Sequence, residues 1–257
     1  QEPMLKKAFA EGLDMHSVTA FGVYKDRMEL PQYDEYTLEI QDIIMDKYKK
    51  TLRQSAKIVS FSILYGAQAM GLSKNLKVSK KEAQVLIDNY YKENKMMAKM
   101  MEDNKEFVCK NGYIENRYGA RVYLRNAKGY DYKSKTKNWN AISEVRFVNN
   151  YQIQSASAFY MYICMVDFFE EVEKLGLDVS LMMTIYDSFM VRVHKSVEPK
   201  TIAELMYKHF ARELDGVLLD IDPFMSSDGT WYTYEDIDLS IHRPVDFKPI
   251  IERREDL

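Results

Sequence analysis

Arg53-Gln-Ser-Ala-Lys57-Ile-Val-Ser-Phe61-Ser-Ile-Leu-Tyr65-Gly66 is the stretch on which the reading of this chain turns. Arg53, Lys57, Phe61 and Tyr65 recur at steps of four. Each step rotates an α-helix by about 400°, so the four side chains drift by only about 120° and line one face. One end of that stripe is cationic and the other aromatic. A nucleoside triphosphate has the matching layout: its phosphates favour Arg and Lys, and its base and sugar favour flat apolar surface. Gly66 lets the helix end or bend tightly. The plain alternative is an amphipathic helix whose basic residues are solvated and whose aromatics are core.

Outward from the stripe, residues 2–12 and 33–65 carry apolar positions at helical spacing, and Ser79 followed by Glu82 opens a further helix with a capping-box pattern. Gly112 to Leu124 places aromatic and β-branched residues on both sides of Tyr118-Gly119 and reads as a hairpin. A lysine-rich stretch, Lys128 to Lys137, follows. Ala141 to Glu173 has a helical pattern without Pro or Gly. Val179 to Val193 alternates around Tyr186-Asp187-Ser188, which predicts strand, turn, strand with Asp187 at the tip. Glu198 to Leu214 reads as an amphipathic helix, Leu218 to Ile221 as a short strand, and the tail from Tyr232 as extended. Helices first and hairpins later predict an α+β protein with its sheet-forming part C-terminal. The expected regions are 1–140, 141–231 and a tail, 232–257.

With 257 residues, 46% of them hydrophobic, the chain can bury a sizeable core in one large domain or two small ones. Charged residues make up 29%, no apolar run approaches the roughly 18 residues needed to cross a bilayer, and no charged-then-apolar leader opens the chain. The expectation is a soluble, unsecreted, cytoplasmic protein with no membrane partner. Cys109 and Cys164 lie far apart without metal-ligand spacing, which argues against a disulfide framework or a zinc knuckle. A net charge of -3 leaves the partner open, because local patches rather than totals bind phosphate. No internal repeat is present.

Arg53, Lys57, Phe61, Tyr65 and Gly66 match, residue by residue, the R-x3-K-x3-F-x3-Y-G motif of the fingers helix in DNA polymerase I-like (family A) enzymes, and the chain resembles that family over nearly its whole length to about Trp231. Glu2 to Phe9 and Gly12-Leu-Asp14-Met-His16 look like the segment after the family's first catalytic motif, where the histidine contacts the nucleotide's phosphates. Gly112-Tyr-Ile-Glu with Gly119-Ala-Arg121-Val-Tyr-Leu124 resembles the family's hairpin, and Arg146-x3-Asn150-x3-Gln154 has the spacing of its palm-helix residues. The step-of-four rule places those three on one helix face, where the resemblance implies contact with the minor groove of primer-template DNA. Thr184-Ile-Tyr186-Asp187-Ser188 is similar to the metal-binding motif C, with Tyr186 in place of the usual His and Ser188 in place of the usual Glu. The aspartate is kept.

The resemblance implies a right-hand polymerase fold, with helical fingers in 1–140, the C-terminal palm with part of its antiparallel sheet in 141–231, and transfer of dNTPs to a primer 3′ end. His16, Arg53 and Lys57 would hold the triphosphate, Lys57 would protonate the leaving pyrophosphate, and Phe61, Tyr65 and Gly66 would shape the pocket. Phe61 rather than Tyr implies discrimination against 3′-deoxy nucleotides. Arg146, Asn150, Gln154 and Tyr186 would contact DNA, and Asp187 would bind catalytic Mg2+. Two-metal phosphoryl transfer needs further carboxylates. The family's D-Y-S-x-x-E segment (motif A) occurs nowhere in the sequence, and Gln1 stands where a Met would open a complete chain. The expectation is therefore a split or processed polymerase, possessing its second metal carboxylate and thumb only through a second polypeptide, with a phage source and a bacterial host cytoplasm suiting the Lys- and Tyr-rich composition. Met96, Met97, Met100 and Met101 are expected in the fingers core or at that interface. Two other readings stand: a phage-type single-subunit RNA polymerase fragment, permitted by Asp187-Ser188, and a non-catalytic DNA-binding subunit that kept the fold.

Overall fold

The computed structural model describes residues 2–31, 35–134 and 136–226, with the backbone of 235–236. By packing, the chain divides into two units, Gln1–Ile153 and Gln154–Leu257. Both carry helices and antiparallel strands, so the class is α+β.

In the first unit, α1 (Pro3–Ala10) begins with proline, whose fixed φ suits a first helical turn. Helix α2 (Met15–Tyr24) opens at Asp14, whose carboxylate accepts the Ser17 N–H. The helical stretch expected to run to residue 65 is divided: α3 (Leu38–Ile43) runs into a π-turn at Ile44–Tyr48, and Thr51 leaves helical dihedrals before α4 (Leu52–Leu64). The interruption keeps Arg53, Lys57 and Phe61 on a single fresh helix, with Tyr65 at its C-cap. Next come α5 (Ala69–Leu76), α6 (Lys80–Glu93) and α7 (Lys95–Asn111). Ser79 caps α6 by accepting the Glu82 N–H, while the Glu82 carboxylate bonds Arg27.

One apolar core joins α2, α4, α5, α6 and α7 through Val23, Ala56, Val59, Ile63, Leu72, Leu86 and Met101. Complete burial of a residue such as Val59 or Ile63 stabilises by about 1.5–3 kcal/mol. The methionine run is split by helical phase. Met97 and Met101 pack into this core, and Met96 and Met100 are exposed. After Gly112 ends α7 at positive φ, β1 (Tyr113–Glu115) pairs with β2 (Arg121–Tyr123), Glu115 opposite Arg121. The Asn116 carboxamide accepts the N–H groups of Tyr118 and Ala120 and shapes the expected turn.

Helix α8 (Trp139–Lys174) runs through the division between the units, which falls at 153/154. In the second unit β3 (Val179–Ile185) and β4 (Ser188–Val193) form the expected hairpin, with a register shift between Leu181 and Met183. Phe168 of α8, Phe189 of β4 and Phe210 pack together with Ile202 and Leu205. Helix α9 (Pro199–Phe210) is shorter than the Glu198–Leu214 pattern predicts. Its last residues form β5 (Arg212–Leu214), which pairs with β6 (Val217–Leu219) across Asp215-Gly216, both at positive φ. An Asp-Gly pair is a strong two-residue hairpin signal, and it outcompetes the helical periodicity that spans it. The remaining ladder joins β7 (Phe224–Met225) to β8 (Glu235–Asp236). The rest of the tail from Tyr232, Trp231 just before it, and Lys135 lie outside the described residues. Among the described residues the strands form four two-stranded antiparallel ladders, and no helix is long and apolar enough to cross a membrane.

Candidate functional site

Helix α4 turns Ala56, Val59 and Ile63 into the core, which forces Lys57, Phe61 and Tyr65 outward. Phe61 and Tyr65 remain 45% and 47% exposed. Aromatics of a merely amphipathic helix would be core, so the plain alternative fails for both. The Lys57 ammonium lies 5.9 Å from the centre of the Phe61 ring, and the His16 ring on α2 is also 5.9 Å from it. Three of the predicted residues thus share one exposed neighbourhood.

The helix ends in a Schellman motif: the Gly66 N–H donates to the Ile63 carbonyl and the Ala67 N–H to that of Ser62. Gly66 has φ +76, and a Cβ there would lie 2.3 Å from the Arg146 carbonyl oxygen. Handedness and space both demand glycine, which is how the chain turns away directly after Tyr65.

Arg53 stands apart from the other stripe residues. Its Nε and Nη2 donate side by side to the Asp14 carboxylate at 2.8 and 2.6 Å, with the two side chains only 17% and 24% exposed. Partial burial opposes ionisation of Asp14, but the bonds from Arg53 and Ser17 and the Arg53 charge outweigh it and hold the carboxyl well below the usual range. For His16, burial pushes the imidazole down, Asp14 pulls it up, and Arg53 and Lys57 push it down again. The net direction is downward, toward a neutral ring at neutral pH. The importance of Asp14 was not legible in the sequence, because its partner lies 39 residues away. Its position at a helix start two residues before His16 was the only available signal.

On α8 a buried amide network was also missed. Asn104 donates to Asn149 at 2.8 Å and to Gln152 at 2.7 Å, and Asn149 is 1% exposed. The α8 residues that bond into this network are Asn149 and Gln152, not Arg146, Asn150 or Gln154. Arg146 and Gln154 are exposed and Asn150 is half-buried. The Arg146 guanidinium lies over the Phe147 ring, 4.8 Å from its centre. In the lysine-rich stretch, Lys133 is engaged with Glu106 at 2.8 Å.

In the second unit, Tyr186 and Asp187 form a two-residue loop closed by the Ile185–Ser188 pair. Tyr186 has φ 52 and is 99% exposed, and Asp187 is exposed beside it. A lone exposed carboxylate does not make a two-metal centre, and the described residues contain no group of three His, Cys, Asp or Glu side chains able to hold a metal ion. These residues alone therefore do not fit a complete Mg2+ site.

A solved structure, the POL domain of Pol1 from M. smegmatis in complex with DNA primer-template and dNTP, matches with a TM-score of 0.69 and 23% identity, over 85% of this chain and 35% of that one. The likeness establishes the fold. Residues 1–228 match the model of DNA polymerase family A, and the chain belongs to that family. DNA polymerase I of Caldicellulosiruptor bescii is 24% identical over 218 residues, 85% of this chain and 22% of that protein. DNA polymerase I of Pseudomonas aeruginosa is 28% identical over 193 residues, 75% of this chain and 19% of that protein. The chain thus spans about a fifth of the length of these relatives.

Proposed function

We propose that this chain carries the fingers and C-terminal palm of a DNA-directed DNA polymerase and contributes to adding dNTPs to a primer 3′ end. One observation carries the reading: in a family A chain, Lys57, Phe61 and Tyr65 stand exposed on one helix face beside His16, with no duty in the core. Residues 1–140 are the fingers in this reading and 141–231 the palm. Lys57, His16 and the outer edge of Arg53 meet the triphosphate, which favours point charge and forked donors. Lys57 is also the proton donor to the leaving pyrophosphate. Phe61 and Tyr65 offer flat surface to base and sugar, and the turn at Gly66 opens space beside them. Arg146, Asn150 and Gln154 meet minor-groove acceptors, which every correct base pair presents. Tyr186 contacts the primer-template.

Asp187 supplies one carboxylate of a metal site whose other carboxylates, with the thumb, come from polypeptide outside these 257 residues. Mg2+ held there would stabilise the charge on the transferred phosphoryl group. The test is primer extension with dNTPs and Mg2+ by the native assembly containing this chain, with and without Asp187→Asn. Loss of extension by roughly a thousandfold, equivalent to several kcal/mol of transition-state stabilisation, is expected. Extension at an unchanged rate would sink the catalytic reading and leave a chain that only binds DNA.

A further inference from the structure

We infer that Asp14 is a positioning residue that holds the Arg53 guanidinium and the first turn of the His16 helix in one register, so that both present donors to a triphosphate together. The inference rests on the nucleotide-binding role proposed above and deepens it. Its basis is a single carboxylate bridging two helices.

The Asp14 carboxylate accepts from Nε and Nη2 of Arg53 on α4. The same side chain accepts the Ser17 N–H at 2.7 Å and so caps α2, the helix whose first turn carries His16. Its own backbone is held too, with the Asp14 N–H donating to Gln41 Oε1 at 2.7 Å. The two helices pack against each other. A guanidinium bound side-on through Nε and Nη2 keeps Nη1 for a further acceptor, and among the described residues no partner for Nη1 is found. The planar group is therefore aimed before any ligand arrives.

Two opposed effects follow from removing the Asp14 charge. An unanchored arginine must lose its rotamer freedom on binding, a penalty of roughly tenfold to thirtyfold in affinity. Removing one screened negative charge near the phosphates returns only about a few-fold. Positioning should prevail, and a competing clasp would give the reverse sign.

The experiment is equilibrium titration of the native assembly containing this chain with a fluorescent dNTP and Mg2+, comparing the native sequence with Asp14→Asn, Asp14→Glu, Arg53→Ala, Lys57→Ala and the Asp14→Asn/Arg53→Ala double variant. Asn keeps an acceptor for the Ser17 N–H, so α2 remains capped and the fold is retained. The expected results are a loss of about tenfold for Asp14→Asn, partial recovery with Glu, and no further loss when Asp14→Asn is added to Arg53→Ala. A purely structural role would not produce that non-additivity. If Arg53→Ala and Lys57→Ala weaken binding but Asp14→Asn binds equally well or more tightly, or adds its full loss to Arg53→Ala, the inference is overturned and the nucleotide site stands. If the native protein does not bind, or neither Arg53→Ala nor Lys57→Ala matters, the nucleotide reading falls and the inference falls with it.

Discussion

Gly66 and Tyr186 both occupy the left-handed backbone region, at φ +76 and 52, and each marks one of the two candidate regions. At Gly66 the conformation is filled by the one residue that adopts it freely, and the adjoining Arg146 backbone leaves no room for any other. At Tyr186 the same hand is imposed on a bulky side chain that packs against nothing, since it is almost wholly exposed. The end of α4 is thus built by tertiary contact, and the tip between β3 and β4 by a local turn carrying a residue that folding does not require.

The sharpest way to break this contrast is Gly66→Ala. It adds a Cβ at positive φ into the Arg146 carbonyl, and urea unfolding should show a loss of roughly 2–5 kcal/mol. A loss under about 0.5 kcal/mol would mean that the turn relaxes and the contrast is false. Asn149→Leu comes next. It strips one acceptor from buried Asn104 and should cost about 1–3 kcal/mol by the same measurement, whereas exposed Gln154→Leu should change stability little.

Tyr186→Gly should move stability the other way, raising it by about 1 kcal/mol while reducing primer extension. Destabilisation would show that the tyrosine has a packing role after all. A further test concerns acid. Asp14 is depressed in the folded state, so its contribution is fully present above the ordinary carboxylate pKa of about 4 and is lost as pH falls toward the depressed value. Asp14→Asn should flatten that limb of the stability–pH curve, and an unchanged limb would detach Asp14 from Arg53.

Local chemistry made much of the molecule readable in advance. Step-of-four spacing put Lys57, Phe61 and Tyr65 on one face, alternation about Tyr186-Asp187 gave the hairpin, and Ser79 before Glu82 marked a helix start. Each is a property of neighbours within a few residues, which is the range over which periodicity and capping act. Where two local signals overlapped the reading went wrong, as when helical spacing concealed the Asp215-Gly216 turn.

The sequence by itself determined the α+β class, the family motifs and which side chains share a face. Tertiary structure alone decided which faces are free: Phe61 and Tyr65 turned outward because Val59 and Ile63 found a core, and Arg146 was left outside because Asn149 and Gln152 took the buried amide bonds. It also decided that Arg53 is held by Asp14. Spacing along a chain constrains rotation about one helix axis, but a partner 39 residues away is selected only when two helices pack and exclude water from the charges between them.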